Sequence, residues 1–221
     1  MKRFFIHGWS FSSQIWKRFY KKEDTLLDLP FHGENKEYSL ENTLDRFSKE
    51  IFSLIEKQNS DVCLIGWSLG ASVSVLVTLR KPKNLKKIVL VGFSPKFKDK
   101  KLGHNPVAVK AFMMALKVDF KDTIYTFRKT AAGDTFKNIP LPEKEGSIRL
   151  LNEFINLDLT KEIENIDIET ILIHGKQDKI ISPFGSIYAN QHIKGSKLLL
   201  VDSHHAPFLT HADIFSKEIS L

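Results

Sequence analysis

The chain has 221 residues, 42% of them hydrophobic and 27% charged, with a formal net charge of +7. That is enough for one sizeable core with a small insertion, and the balance excludes a disordered or fibrous chain. The single cysteine, Cys63, excludes an intrachain disulfide framework and fits a reducing, cytoplasmic setting, while no apolar run reaches transmembrane length.

The chain opens with Lys2 and Arg3, but its first apolar run ends at His7-Gly8 after three residues, far short of the apolar stretch of a signal peptide. Instead it reads as the first of six buried strands, at residues 3–6, 25–29, 61–66, 87–93, 170–174 and 197–202. Helical stretches are expected between them at 12–20, 39–58, 71–80, 184–193 and 213–219. Alternation of this kind predicts an α/β protein, with a mostly parallel sheet of about six strands flanked by helices. One region breaks the pattern. From residue 95 to 159 no strand is convincing; helical patterns at 107–117, 120–130 and 146–156 surround a Pro-containing loop, Ile139-Pro140-Leu141-Pro142. The expectation is a core made of residues 1–94 and 160–221, with residues 95–159 forming a helical lid over the carboxyl ends of the strands, where open α/β sheets bind ligands.

Behind the third expected strand stands Gly66-Trp67-Ser68-Leu69-Gly70. Gly-x-Ser-x-Gly between a strand and a helix is the setting of a nucleophile elbow, and its glycines serve a turn too tight for a Cβ at either position. A serine there needs a base with a pKa near neutrality, which points to histidine. His204 and His205 follow the last strand, and His205, which opens His205-Ala206-Pro207-Phe208, is the preferred base. The acid that orients it should lie between serine and histidine in the chain. Asp178, a short turn after the fifth strand, fits; it could instead only form a turn with Lys176 and Gln177, and Asp202 and Asp158 are alternatives. Donors for a tetrahedral oxyanion are expected from the backbone N–H of Leu69, at the start of the next helix, and of Trp9, in the loop His7-Gly8-Trp9-Ser10 after the first strand. Cys63 lies in a strand and reads as a small core residue. His32, His174, His192 and His211 show no metal-ligand spacing, so no metal is expected, and no Gly-rich phosphate loop is present, so no cofactor is expected either.

With these residues in view, the chain is identified as an α/β-hydrolase. It resembles the pimeloyl-[acyl-carrier protein] methyl ester esterases of biotin synthesis in Phe5-Ile6-His7-Gly8-Trp9, Asp28-Leu29-Pro30, Gly66-Trp67-Ser68-Leu69-Gly70, Ser94-Pro95, Leu141-Pro142 and His205-Ala206-Pro207-Phe208. The resemblance implies a serine hydrolase with Ser68, Asp178 and His205 as its triad, and with Trp9, Ser68, Leu69, Phe127 and His205 lining the substrate site. It implies hydrolysis of a pimeloyl methyl ester held on acyl-carrier protein; a thioesterase or a general carboxylesterase would use the same triad. The chain departs from that family in lacking a leading antiparallel hairpin, in Ala71 at a frequent glycine, and in Phe31-His32-Gly33 after the second strand.

Between residues 96 and 150 stand twelve basic and six acidic side chains, a net +6 against +7 for the whole chain. Such a lid could steer an acidic carrier protein, with Lys121, Arg128, Lys129 and Arg149 as candidate contacts, or could simply be a solvated face. No motif supports nucleic-acid or membrane binding, and a monomer is expected.

Overall fold

The computed structural model describes residues 1–220. Six strands, β1 (Lys2–Ile6), β2 (Thr25–Leu27), β3 (Val62–Trp67), β4 (Leu85–Val91), β5 (Glu169–Gly175) and β6 (Lys197–Val201), form one sheet in the order β2-β1-β3-β4-β5-β6. Every pairing is parallel, not merely most. The helices are α1 (Thr43–Glu56), α2 (Leu69–Thr78), α3 (Pro106–Val118), α4 (Phe120–Ala132), α5 (Lys144–Ile155), α6 (Pro183–His192), α7 (Pro207–Thr210) and α8 (Ala212–Ile219).

Alternate residues of each strand enter separate cores. Phe4, Leu64, Ile88 and Leu172 pack with α1, α2 and α6, whereas Phe5, Ile65, Val89 and Ile171 pack with Trp16, Phe208 and Phe215 on the other face. Both faces are covered, which is why the strands read as unbroken apolar runs. Between β4 and β5 the chain leaves the sheet and builds α3, α4 and α5, the helical insertion expected from the sequence.

Several ends differ from expectation for identifiable reasons. The strand expected to reach residue 29 stops at Leu27 because the Leu29 amide donates to His7 Nε2 at 3.0 Å instead of joining a ladder. The helix expected from residue 39 starts at Thr43, since Asn42 adopts a left-handed φ of 49°. Its exposed amides are capped from far along the chain, where the Glu153 carboxylate of α5 accepts the N–H groups of Thr43 (3.1 Å) and Leu44 (2.9 Å). The helix expected over 12–20 is a single 3₁₀ turn, Ser13–Trp16.

The tightest packing lies where β1, β3 and α2 meet. A Cβ on Gly70 would fall 2.5 Å from the Ile6 carbonyl oxygen and 2.6 Å from that of His7, and one on Gly66 would fall 2.4 Å from the Gly70 carbonyl oxygen. No backbone can yield that much without moving a strand.

The loop after β1 and the turn after β2 are locked together by two buried histidines. The Ser10 amide donates to His32 Nε2 at 3.1 Å, so His32 carries its proton on Nδ1 and donates to the Pro30 carbonyl at 2.7 Å. By the same logic His7 accepts from Leu29 on Nε2 and donates from Nδ1 to the Gly8 carbonyl at 2.7 Å. Burial first, then the neighbouring His7, push the His32 pKa down to about 3.

Two outcomes follow. Gly70→Ala should destabilise the protein by roughly 2 kcal/mol or more, read as a lower urea midpoint at unchanged slope; an unmoved midpoint would contradict the steric account. The second concerns acid. The unfolded His32 ring titrates near ~6.5 and so binds a proton before the folded one does. Its contribution to stability is therefore intact above about pH 6.5 and is lost as pH falls towards the folded value. Denaturation at pH 7 and pH 5 should show wild type losing roughly 2 kcal/mol more than His32→Gln over that step; equal losses would refute the assignment.

Candidate active site

Ser68 sits at the turn between β3 and α2 with φ 57° and ψ −118°, a conformation L-residues rarely adopt. The strain is held by the glycine packing beneath it and by the Ser68 amide, which donates to the Val91 carbonyl at 2.8 Å. Strain in such a turn lifts the side chain off the sheet, and Ser68 reaches the wall of an internal cavity.

His205 follows β6. Its ring lies against the end of β4, so close that a Cβ on Gly92 would be 3.1 Å from Nδ1 and Cε1. Its backbone is fixed by Trp67, whose indole N–H donates to the His205 carbonyl at 2.8 Å. His205 Nδ1 meets Asp178 Oδ2 at 2.6 Å, with both side chains almost wholly buried. The carboxylate's other oxygen accepts the amides of Ile180 (2.8 Å) and Ile181 (3.0 Å). Burial acts to raise the Asp178 pKa, but the charge on His205 and the bonds from His174 and His205 outweigh it and hold the carboxyl well below the usual carboxylate range. These donors favour the ionised form of Asp178.

His205 Nε2 is buried and has no hydrogen-bond partner among the described residues, Ser68 Oγ included. Serine–histidine bonds of this kind often tighten only when substrate arrives. The alternatives weighed from sequence are engaged elsewhere: His204 is exposed, Asp202 pairs with Lys176 at 3.0 Å and Asp158 with Lys96 at 2.7 Å.

The two backbone N–H groups expected to serve an oxyanion belong to segments that adjoin Ser68. Leu69 is the first residue of α2, so its amide has no intrahelical acceptor. Trp9 comes from the loop after β1, and that loop runs close enough that a Cβ on Gly8 would lie 3.3 Å from Ser68 Cβ. Neither amide donates to a protein acceptor among the described residues. The Trp9 side chain is occupied separately: its indole N–H donates to the Ser147 carbonyl of α5 at 2.9 Å, and its ring meets Phe112 and Phe127 edge-on.

The cavity measures about 100 Å³. Trp9, Ser68 and Phe127 line it, together with Phe112, Leu151 and Ile180, whereas Leu69 and His205 are not among its lining residues. His104 is its only other polar side chain. A wider groove of about 460 Å³ shares His104, Phe112, Phe127 and Ile180 with it and has Lys179 on its rim. No group of three or more His, Cys, Asp or Glu among the described residues is placed to hold a metal ion.

The cations singled out from the sequence part company. Lys121, Lys129 and Arg149 are exposed, but Arg149 lines a separate groove beside Asn42 and Lys117. Arg128 is not a surface contact at all. Fully buried, it donates to the carbonyls of Ser10, Phe136 (2.9 Å), Ile139 (2.8 Å) and Pro140 (2.9 Å). Its work is internal, tying α4 to the loop that carries Trp9. Sequence reasoning also passed over Trp67, His104 and His174; only the spacing His174-Gly175-x-x-Asp178 hinted that the last lies one turn from the acid.

Residues 39–206 match the hydrolase family described as serine aminopeptidase, S33. A pimeloyl-[acyl-carrier protein] methyl ester esterase of Wigglesworthia glossinidia brevipalpis is 31% identical over 97% of this chain and 90% of the relative. One from Nitrosospira multiformis is 28% identical over 97% and 91%. Among solved structures, an esterase from Exiguobacterium antarcticum superposes with a TM-score of 0.85 at 18% identity, over 99% of this chain and 90% of that one. With its all-parallel sheet, its strained serine after β3 and these likenesses, the chain belongs to the serine aminopeptidase, S33, family of α/β-hydrolases and groups there with the pimeloyl-[acyl-carrier protein] methyl ester esterases.

Proposed function

We propose that this serine hydrolase cleaves the methyl ester of a pimeloyl chain carried on acyl-carrier protein, the reaction named for its relatives. The observation that carries the reading is the coupling of Asp178 to His205 at 2.6 Å beside a strained Ser68 that opens on an apolar cavity. Ser68 Oγ attacks the ester carbonyl carbon while His205 Nε2 takes its proton. The amides of Trp9 and Leu69 donate to the oxyanion that forms. His205 returns the proton to the departing methoxide, releasing methanol and leaving an acyl-enzyme. A water, deprotonated in turn by His205, then frees the carboxylic acid and restores Ser68.

The cavity suits this substrate better than a peptide N-terminus. Its lining is apolar apart from Ser68 and His104, and it offers no carboxylate to hold an α-ammonium group. Residues 95–159 act as the lid, and the groove that continues outward from the cavity is the route for a chain delivered from outside. Lys179 on its rim, with exposed Lys121 and Lys129 on α4, supplies positive charge where an acidic carrier would dock. On this reading the enzyme works in the cytoplasm, as a monomer.

Hydrolysis of pimeloyl-acyl-carrier-protein methyl ester should fall roughly 10⁶-fold in Ser68→Ala. A strong preference for free short esters over the carried one would discard the carrier while keeping the hydrolase. Charge reversal at Lys121 and Lys129 together should raise KM for the carried ester about 5–10-fold at low salt, leave kcat in place, and matter little at ~0.5 M salt. A KM that ignores both the substitutions and the salt would remove these lysines from the docking surface.

A further inference from the structure

Asp178 has a second imidazole on it. His174, on β5, is fully buried, and its Nε2 lies 3.0 Å from Asp178 Oδ2, the oxygen that also takes His205 Nδ1 at 2.6 Å. With the amides of Ile180 and Ile181 on Oδ1, the carboxylate has three hydrogen bonds and the close His174 nitrogen around it. On its far side His174 Nδ1 is 2.7 Å from Ser186 Oγ, and that hydroxyl donates to the Phe93 carbonyl at 2.9 Å. A buried chain thus runs from the end of β4 through α6 and β5 to the candidate triad.

The protons in this chain are constrained. His174 Nε2 faces Asp178 Oδ2 and, at 3.1 Å, the Ile181 carbonyl; both only accept. A bare nitrogen there would set three lone pairs against one another without water, so Nε2 carries a proton. This holds whether Nδ1 is also protonated and donates to Ser186, or takes the hydroxyl's one proton in place of the Phe93 carbonyl. In either state the N–H at Nε2 draws on the same lone pairs that stabilise a protonated His205.

We propose that His174 is a positioning residue for the triad, fixing the Asp178 carboxylate and, by sharing Oδ2, holding His205 less basic than an unshared aspartate would make it. The proposal rests on the triad reading above. The groups that face the couple are few. Trp67 and Gly92, uncharged, approach His205 from β3 and β4. His104, ahead of α3, is a further titratable ring that feels the Asp178 charge. His204 points to the Gln177 carbonyl.

The test is the rate at which a fluorophosphonate labels Ser68, followed against pH, since this reads the base without assuming a substrate. Removing the donor in His174→Phe should move the acid limb up by about 0.5–1 pH unit. His174→Gln, which keeps an N–H within reach of Oδ2, should move it back towards wild type. If both variants label slowly with the limb unmoved, His174 is only a packing residue and the proposal falls. If labelling ignores His205→Ala, the triad reading fails and takes this proposal with it. Should His174→Phe not fold, proton spectra of the wild type labelled with ¹⁵N-histidine still decide. Besides the buried N–H groups of His7 and His32, two downfield imidazole N–H protons should move in Asp178→Asn; only one moving would leave no donor at His174 Nε2 and overturn the proposal.

Discussion

The close approach of α2 to the carbonyl end of β1 is the constraint on which the site depends. Only bare hydrogens at Gly66 and Gly70 let the helix start where the sheet ends. Three things meet there as a result. Ser68 is forced into a left-handed backbone that aims its side chain away from the sheet. The free N–H of Leu69 comes to lie beside it. The loop after β1 passes within van der Waals range of the serine, bringing the Trp9 amide alongside. Local sterics, not a long-range network, thereby bring Ser68, Leu69 and the loop of Trp9 to one place.

Around that junction the polar groups are buried and paired in ways that fix protonation. His32 has one nitrogen opposite an amide donor and the other opposite a carbonyl, so burial keeps it as a neutral tautomer, while His7 lies between the Leu29 amide, the Gly8 carbonyl and the Asp28 carboxylate. Asp178 is surrounded by donors and locked as an anion. Arg128 has no carboxylate partner; carbonyl oxygens from two loops solvate it in place of water. Desolvating a cation in this way is costly unless its N–H groups are all engaged, and the planar fork of arginine, unlike lysine, can reach four carbonyls from one position.

Much of this was legible in the sequence because it depends on short-range rules. Six apolar runs gave six strands, and Gly-x-Ser-x-Gly gave the turn that holds Ser68. The pairing of Asp178 with His205 followed from chain order, since both stand just past the ends of neighbouring strands, β5 and β6. What escaped depends on partners distant in the chain. Glu153 caps a helix that begins 110 positions earlier, so nothing near residue 39 or 43 marks the true start. Leu29 looks like strand until His7 claims its amide. Arg128 sits beside Lys129 on an amphipathic helix, and one-dimensional periodicity counts both as surface charge; only the carbonyls of Ser10 and of the loop 136–140 draw Arg128 inside. Arg128 keeps its charge, since only neutral carbonyls surround it, but it is not available as a direct surface contact.

The ties on the insertion are unequal. α5 is bound to the core twice, by Glu153 at the start of α1 and by Ser147 at the Trp9 indole, and α4 is bound through Arg128 to Ser10. α3 has no such tie: its side-chain bond is its own cap at Asn105, and Val107, Met114 and Val118 stand open to solvent. Any outward shift of α4 or α5 would pull on the loop that carries Trp9 and Ser10. α3 is held instead by apolar contact, with Phe112 edge-on to the Trp9 ring, so the three helices of the insertion are tied to that loop by two different kinds of force.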